Sequence, residues 1–361
     1  MAKTSLPKEE SDVKLAYSNW FQQLVLMLEA KNVAVIGGRA LGKTTGIIAP
    51  RTQDISADMP GCYIAISSDT YMNARRNVLP SIADGWKNND WIEDVHFVMN
   101  KRPPKHFGLP YKSPIEWQHS ITDHYGTHYK LISQDRPSVG AGDSYQHIVG
   151  DEVKFQSKRK LSKLTPAKRG GELKFRKSPY YGGVTYFTDM PNINHGEHDW
   201  ILEMNKQVNP KQLYLMMLAA FKLNKIRIER YHAEKAGDTK EIRLIQKKYD
   251  RWNEEFRKLR KNSTFFYIAS SFVNVDFLGY DYFKEQLEEL LFSDVASSIL
   301  SIVPKLEKGK QFYPNLDKKH FYKDGFNYSR TDKIDLKEQF EILSLDLKYI
   351  DHNAPIEAGL D

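Results

Sequence analysis

The amino-acid sequence predicts an α/β fold in which a mostly parallel central sheet is flanked by helices. Three observations support this prediction. Short apolar segments alternate with helix-compatible segments through the first half of the chain, as expected when right-handed crossovers join parallel strands. A glycine-rich segment follows the first predicted strand, and two adjacent acidic residues follow a later one. Both positions are where a parallel sheet presents its ligand-binding edge.

We predict the elements of this core in chain order from apolar periodicity and turn residues. A helix at residues 17–29 precedes a short strand at 32–36, and a second strand at 62–67 precedes a helix at about 71–86. Residues 100–113 contain three prolines and are predicted to form a loop. Further strands are expected at 128–133, 145–149 and 184–187.

The pattern changes after residue 210. Helical residues 211–231, a turn at 236–239 and a second helix predict an antiparallel helical hairpin. Asp238 and Glu241 resemble a capping box at the start of the second helix. That helix carries apolar residues at gaps of three and four, which favours internal packing over a partner-binding face: Ile242, Ile245, Tyr249, Trp252, Phe256 and Leu259. A strand at 264–272 and a helix at 282–300 are expected beyond the hairpin.

Composition limits the class of protein. Lys and Arg total 53 against 46 Asp and Glu, and the resulting net charge of +7 favours a polyanionic partner only mildly. Cys62 is the single cysteine, which excludes an intrachain disulfide and predicts a buried thiol beside an apolar strand. No apolar run approaches the roughly 20 residues that cross a bilayer, and the first residues do not resemble a signal peptide. We therefore expect a soluble intracellular protein.

The glycine-rich segment VIGGRALGKTTG spans residues 35–46. Gly37, Gly42, Lys43 and Thr44 fit the phosphate-binding pattern G-x-x-x-x-G-K-[ST], whose amides and helix N-terminus favour an anion. Lys43 is expected on the β and γ phosphates of ATP, and Thr44 on Mg²⁺. The residues predicted to contact ATP are Gly37, Gly38, Arg39, Ala40, Leu41, Gly42, Lys43, Thr44 and Thr45. A glycine turn that binds no ligand is the alternative.

Asp151 and Glu152 directly follow the strand predicted at 145–149. Asp151 can hold Mg²⁺ through a water, and Glu152 can align and deprotonate the attacking water. Acids at a strand end can instead cap a neighbouring helix. The phosphate loop favours the catalytic interpretation, and together these motifs predict ATP hydrolysis.

Thr188 and Asp189 end the strand predicted at 184–187. A polar residue there can sense the γ-phosphate and couple its loss to other parts of the molecule. A Thr-Asp turn before a proline is also a common way for a strand to end.

A basic run lies between the acid pair and this strand. Lys154–Lys177 holds ten basic residues against one acid, Glu172. It is either a solvated loop or a contact with the phosphate backbone of DNA, which is bound without sequence preference through charge neutralisation. The candidate DNA-binding residues are Lys158, Arg159, Lys160, Lys168 and Arg169.

The order GGRALGKTT, HIVGDE, basic run and FTDMP resembles the ATPase domain of the large terminase subunit of tailed bacteriophages, motors that pump double-stranded DNA into a preformed capsid. The resemblance covers about residues 19–320 and implies a P-loop NTPase fold of the RecA-like (ASCE) kind. It assigns Arg39 the role of a charge-stabilising finger, although Arg39 could instead form an ion pair at the loop surface. Gln22 or Gln23 would contact adenine. Gly150 departs from the family, which has a bulkier apolar residue there.

The resemblance also implies a domain organisation. Residues 1–200 would form the P-loop ATPase core and 201–262 the helical hairpin insertion. Residues 263–330 would complete the ATPase strand and helix with a small lid subdomain, and 331–361 would be a linker and the start of a truncated nuclease domain. Since one acid, Asp361, cannot form a two-metal site, we predict no nuclease activity.

The partners implied by the resemblance are double-stranded DNA, a portal protein, the small terminase subunit and further copies of the chain in a pentameric ring on the procapsid, without a membrane, in the host cell cytoplasm. A neighbouring copy could supply an arginine in trans from Arg75, Arg76, Arg102 or Arg136. Two alternatives stay open at this stage: another P-loop DNA translocase or helicase, and a nucleotide-gated portal-docking module with little hydrolysis. A small-molecule kinase ranks last.

Overall fold

The computed structural model of the chain describes residues 17–114, 116–134, 144–162 and 170–304. The chain divides into two compact units, Met1–Lys305 and Leu306–Asp361, and all described residues belong to the first unit. Arg136, Lys168, Arg169 and everything predicted for residues 305–361 lie outside the described residues.

Within the described ranges, eight strands form one sheet in the order β3-β4-β5-β2-β6-β7-β1-β8. All neighbours are parallel except β3 with β4 and β4 with β5. The α/β class with a mostly parallel sheet is thereby confirmed. The strands are β1 (Asn32–Gly37), β2 (Tyr63–Ser68), β3 (Phe97–Met99), β4 (Ser120–Asp123), β5 (His128–Ser133), β6 (His147–Gly150), β7 (Gly183–Thr188) and β8 (Thr264–Ala269).

Helices cover both faces of the sheet. A π-helical turn, Thr44–Ile48, follows the phosphate loop and continues into α2, and a second one, Ala74–Val78, joins α3 to α4. The α-helices are α1 (Trp20–Leu28), α2 (Ala49–Asp58), α3 (Tyr71–Asn73), α4 (Leu79–Asn88), α5 (Lys158–Ser162), α6 (Glu172–Phe175), α7 (Pro210–Ala236), α8 (Thr239–Arg260), α9 (Val275–Glu289) and α10 (Phe292–Ser298). None of the helices within the described ranges is both long and apolar enough to cross a membrane.

Two predicted elements differ from the structure near the end of the described chain. The strand expected at 264–272 stops at Ala269, because the chain turns into a 3-10 helix in which the Ser271 amide donates to the carbonyl of Ile299. The helix expected at 282–300 is two helices. The first, α9, begins earlier and contains Gly279 with φ +75°, a conformation that breaks regular helical geometry.

The core lies on both faces of the sheet because side chains alternate along each strand. Val33 and Val35 of β1 pack with α1, α2, α4 and the hairpin, whereas Ala34 and Ile36 face the opposite cluster. Cys62 is fully buried, as predicted, and its burial raises the pKa of the thiol.

The hairpin is formed by α7 and α8. Asp238 caps α8 by accepting from the amides of Lys240 and Glu241, and Gly237 ends α7 in the left-handed conformation. The apolar stripe of α8 faces inward: Ile245 and Phe256 are buried, and Ile245 packs with Ile226 of α7. The packing interpretation of this stripe is therefore confirmed, although Trp252 remains 38% exposed.

Candidate nucleotide site

The phosphate loop joins β1 to the turn that begins α2. The Gly38 amide donates to the carbonyl of Ala269 in β8, and a Cβ atom at Gly38 would lie 2.3 Å from Ser271 Oγ. Gly42 has φ +75°, where a larger side chain would be strained. Both glycines are therefore required by the backbone path of the loop.

Two side chains from beyond the hairpin hold the loop in place. Ser271 Oγ donates to the carbonyl of Arg39 at 2.6 Å, and Asn274 Nδ2 donates to the carbonyl of Ala40 at 2.8 Å. Ala40 has φ +58°, an uncommon conformation for a residue with a side chain. Ser271 and Asn274 were not identified from the sequence, since each lies more than two hundred residues from its partner.

Gln22 supports the loop from α1. It forms a capping box with Asn19, and its Nε2 donates to the carbonyls of Leu41 at 3.2 Å and Gly42 at 3.3 Å. Gln23 instead points away, donating to the carbonyl of Ser18 at the surface. Of the two glutamines considered for adenine, only Gln22 lies against the loop.

Lys43 is buried at the centre of the site. Its Nζ donates to the carbonyl of Gly37 at 2.7 Å and lies 4.0 Å from Glu152 Oε1. The ammonium group therefore sits between the loop backbone and the acid pair, where it can meet a phosphate.

The residues predicted to hold Mg²⁺ meet directly. Thr44 Oγ1 donates to Asp151 Oδ2 at 2.7 Å, across 107 positions of sequence. Mg²⁺ prefers oxygen ligands at about 2.1 Å, and a hydroxyl and a carboxylate oxygen this close can both bind one octahedral ion. The donor set therefore fits Mg²⁺.

Glu152 lies beside this pair in a left-handed conformation, with φ +50°. Thr188 Oγ1 donates to Glu152 Oε2 at 3.3 Å. Burial raises the pKa of Glu152 to about 7, where Lys43 opposes the shift and Asp151 adds to it. Burial also raises the pKa of Asp151, against the hydrogen bond from Thr44. A carboxyl group whose pKa lies near neutral pH suits a general base.

The helix-capping alternative for the acid pair is not what the structure shows. Glu152 occupies the N-cap position of the 3-10 helix Val153–Phe155 but makes no side-chain hydrogen bond to it. Within the described ranges, Asp151 Oδ1 accepts from the adjacent Glu152 amide at 3.1 Å, and its other oxygen accepts from Thr44.

Arg39 is 57% exposed on its side chain and lies at the rim of the site. Its Nε is 3.7 Å from Oδ2 of the buried Asp189. Asp189 also pairs with Lys154, whose Nζ lies 2.8 Å from Asp189 Oδ1 and 2.9 Å from Glu197 Oε1. The ion pair considered for Arg39 is therefore present, but its partner is buried rather than a surface carboxylate.

Lys154 belongs to this site although the sequence placed it in the basic run. Burial alone would lower the pKa of Lys154, but Asp189 and Glu197 outweigh that effect and raise it. Its amide also donates to Thr188 Oγ1 at 3.4 Å. No local pattern distinguishes Lys154 from the exposed lysines that follow it.

The other described residues of the basic run differ in their contacts. Lys158 pairs with Glu203, whereas Arg159 and Lys160 are exposed on α5. Arg75, Arg76 and Arg102, the described candidates for an arginine in trans, are exposed as well.

Gly150, which departs from the terminase pattern, ends β6 in a confined space. A Cβ atom there would lie 2.7 Å from Val153 Cγ1 and 3.0 Å from Tyr186 Cδ1. Tyr186 and Val153 thus fill the volume that a larger residue at position 150 would need.

Topology brings these residues together. In the sheet, β7 lies between β1 and β6, and the loops after all three strands open at the same edge. The site therefore unites the predicted nucleotide residues Lys43 and Thr44, the acid pair, Thr188, Asp189 and Arg39 with the additional residues Lys154 and Glu197.

No model of a known protein family matches the sequence, and neither does any curated protein. Among solved structures, the large terminase of a thermophilic bacteriophage in complex with ADP is similar at 10% identity and a TM-score of 0.48, over 79% of this chain and 53% of that chain. The large terminase ATPase domain of Thermus phage P74-26 is similar at 14% identity and a TM-score of 0.42, over 81% of this chain and 100% of that domain. This chain spans about half the length of the ADP-bound terminase.

Proposed function

We propose that this chain hydrolyses ATP as the motor domain of a terminase large subunit and moves double-stranded DNA into a procapsid. One observation carries the enzymatic part: Lys43, Thr44, Asp151 and Glu152 meet at one edge of the sheet, with Nζ of Lys43 4.0 Å from Glu152 and Oγ1 of Thr44 2.7 Å from Asp151. Loop, ammonium group, Mg²⁺ ligands and general base are the parts that phosphoryl transfer to water requires.

In the proposed reaction Lys43 and the loop amides bind the phosphates. Mg²⁺, held by Thr44 and Asp151, would neutralise charge on them. Glu152 accepts a proton from the attacking water, and Arg39 at the rim stabilises charge on the transferring phosphoryl group. Thr188, which donates to Glu152, and Asp189, which pairs with Lys154, respond in this proposal when the γ-phosphate leaves.

The transport part of the proposal rests on the motif order in the sequence, in which a basic run joins the acid pair to the Thr188 strand. We propose Arg159 and Lys160 among its DNA contacts, with Lys158, Lys168 and Arg169. A portal protein, the small subunit and a pentameric ring of copies on the procapsid, in the host cytoplasm, belong to the same proposal.

ATP turnover tests the enzymatic part. We expect the chain to release phosphate from ATP with Mg²⁺, faster with duplex DNA. Lys43→Ala should abolish the release, because it removes the buried ammonium group that lies against the loop carbonyl of Gly37. Lys105→Ala, at an exposed lysine, is the matched control and should leave the rate unchanged. A wild-type rate equal to that of Lys43→Ala, with and without DNA, would overturn the proposal. If duplex DNA stimulates ATP turnover and its strands are not separated, the result would favour a motor that moves duplex DNA over a helicase.

A further inference from the structure

The hairpin carries a large share of the positive charge of the chain. Between Pro210 and Asn262, fifteen Lys and Arg residues stand against seven Asp and Glu residues, which gives this segment a formal charge of +8. The entire chain carries +7, so the remainder is close to neutral. The hairpin is therefore one of two strongly basic segments, the other being the run Lys154–Lys177 with ten basic residues against one acid.

Part of this charge is used inside the protein. Arg260 pairs with Glu29 after α1 at 2.7 Å, and Arg257 pairs with Asp58 at the end of α2. Other cations pair along the hairpin itself: Lys248 with Glu229, Arg230 with Glu234, and Lys258 with Glu254 and Glu255. These pairs fix the hairpin to the core and stiffen it.

Four cations on α8 have no such role. Lys240, Arg243, Lys247 and Arg251 are exposed and follow each other at gaps of three, four and four residues, on the side opposite the buried Ile245. None of the four makes an ion pair within the part of the chain that the structure describes. At 1.5 Å per residue the row is about 16 Å long.

We propose that this row, called here the α8 cationic row, binds the phosphate backbone of double-stranded DNA. The proposal rests on the proposed function and names a contact for its substrate. Regularly spaced cations on a rigid helix complement a duplex, which presents one negative charge per about 1.7 Å of axis. The row consists of Lys and Arg, and the amide beside it, Gln246, is engaged within the hairpin by Arg230 and Asp250, so the row fits phosphates rather than base edges.

The other helix of the hairpin, α7, also carries cations, but Arg227 donates to the Tyr249 hydroxyl, Arg230 pairs with Glu234, and the remaining lysines are not evenly spaced along it. On the outer side of α7, Tyr214, Leu218 and Phe221 are 57%, 46% and 55% exposed, and apolar side chains gain nothing from a phosphate backbone. The DNA-facing helix is therefore α8. Its pairs through Arg260 and Arg257 connect it to α1, which supports the phosphate loop through Gln22, and to α2, which follows that loop.

The α8 cationic row is tested by the salt dependence of duplex DNA binding. Fluorescence anisotropy measures this binding on the 361-residue chain without nucleotide. In K240Q/R243Q/K247Q/R251Q we expect affinity at low salt to fall at least about 10-fold, and the slope of log K against log salt to shrink by about three to four, near 0.9 per lost phosphate contact. The matched control removes four exposed lysines elsewhere, as K87Q/K101Q/K105Q/K284Q, with the same change of charge. Its slope should stay near that of wild type.

Two pair variants, K240Q/R243Q and K247Q/R251Q, keep the test valid should the fourfold variant unfold; each should remove about half of the slope change. A fourfold variant with the slope of the control would overturn the α8 cationic row, whatever its ATP turnover. If the fourfold variant loses slope while the wild-type chain hydrolyses no ATP, the α8 cationic row is supported as a DNA contact and the motor proposal is wrong. The two failures are therefore distinguishable.

Discussion

The described sheet carries a buried charged cluster at each end. At the carboxyl ends of its strands lies the nucleotide cluster, defined as Lys43, Asp151, Glu152 and Asp189. Before the amino ends of β1 and β7 lies the anchor cluster, defined as Glu29, Arg51, Tyr180 and Arg260. Both clusters hold charged side chains that are at least partly removed from water. They differ in how closely these charges are paired, and this difference distinguishes a structural cluster from a proposed catalytic one.

In the anchor cluster each guanidinium group has close polar partners, although Arg260 Nη2 makes no hydrogen bond among the described residues. Burial, together with Glu29, also raises the pKa of the neighbouring Asp54 to about 7, against Arg51 and Arg260. Arg51 donates to Thr185 Oγ1 at 2.8 Å and to the carbonyl of Lys31 at 3.2 Å, and Arg260 donates to both the carbonyl and the carboxylate of Glu29 at 2.7 Å. The ring of Tyr180 lies between the two guanidinium groups, 5.2 and 4.5 Å from them.

In the nucleotide cluster the charges are less well matched. Two adjacent carboxylates have one ammonium group near them, and it lies 4.0 Å from Glu152. Burial raises the pKa of both Asp151 and Glu152, because the opposing effect of Lys43 is too weak to offset the loss of solvation. Binding of the proposed triphosphate and metal ion would account for this mismatch, because function and maximal stability compete for the same side chains.

The largest effect should come from Glu152→Gln. The amide keeps the shape of the side chain but cannot accept a proton, so ATP turnover should fall by up to about 10⁴-fold. Single-turnover phosphate release measures this, with Glu203→Gln, an exposed acid that pairs with Lys158, as the matched control. A variant that retains a tenth of the wild-type rate would favour the nucleotide-gated docking module, in which Glu152 has no catalytic role.

Removing a member of the anchor cluster should instead reduce stability. In Arg260→Met the Glu29 carboxylate loses its buried partner, and the free energy of unfolding should fall by about 3–5 kcal/mol in urea titrations. Lys258→Met, two positions earlier on α8, removes an exposed pair and should cost no more than about 1 kcal/mol. Equal losses in the two variants would show that the anchor cluster stabilises no better than a surface pair.

The sequence predicts most of the central sheet because its parallel strands are buried on both faces and read as apolar runs. Strand β5 was predicted at its observed bounds. Strands β3 and β4 were missed, since they are three and four residues long and neither is followed by a recognisable motif, as the equally short β6 is by the acid pair. The break at Gly279 was also missed, because an isolated glycine does not reveal its φ angle.

The nucleotide cluster was predictable only where its residues lie close in sequence. Lys43 and Thr44 follow from one motif, and Asp151 and Glu152 from adjacent acids after a strand. Lys154 was missed because its character comes from Asp189 and a second acid far along the chain. The anchor cluster gave no sequence signal at all, since its members come from four separate segments.

Strand β7 provides one threonine that hydrogen-bonds to a member of each cluster, Thr188 to Glu152 and Thr185 to Arg51, so a pair of matched variants compares the clusters with a smaller expected effect. In Thr188→Val the hydrogen bond to Glu152 is lost, worth about 1.5–3 kcal/mol for a charged acceptor, so turnover should fall about 10- to 100-fold. In Thr185→Val the bond from Arg51 is lost, so stability should fall by about 1–3 kcal/mol while turnover per folded molecule stays unchanged. Turnover losses of the same size in both variants would erase the distinction between the clusters.

The smallest effect concerns pH. The pKa of Glu152 is raised by burial from 4.5 to about 7, so between these values the native state keeps a proton that the unfolded chain has lost. Wild-type stability should therefore fall as pH rises through this window, and level off above it. Glu152→Gln cannot titrate at this position, so it should match the wild type near pH 4 and exceed it at pH 8. Because the Glu152 side chain is 35% exposed, solvent screening limits the gain to about 1 kcal/mol.

Urea unfolding of wild type and Glu152→Gln at intervals from pH 4 to pH 8 measures this difference. Thr185→Val provides the comparison from the anchor cluster, because it removes a hydrogen bond and no carboxylate, and it should be less stable than wild type throughout. A Glu152→Gln variant that is less stable than wild type at pH 8 would mean that its charge is as well satisfied as that of Glu29. A gain that appears only where Glu152 ionises would show that the residue expected to activate water destabilises the fold in its working form.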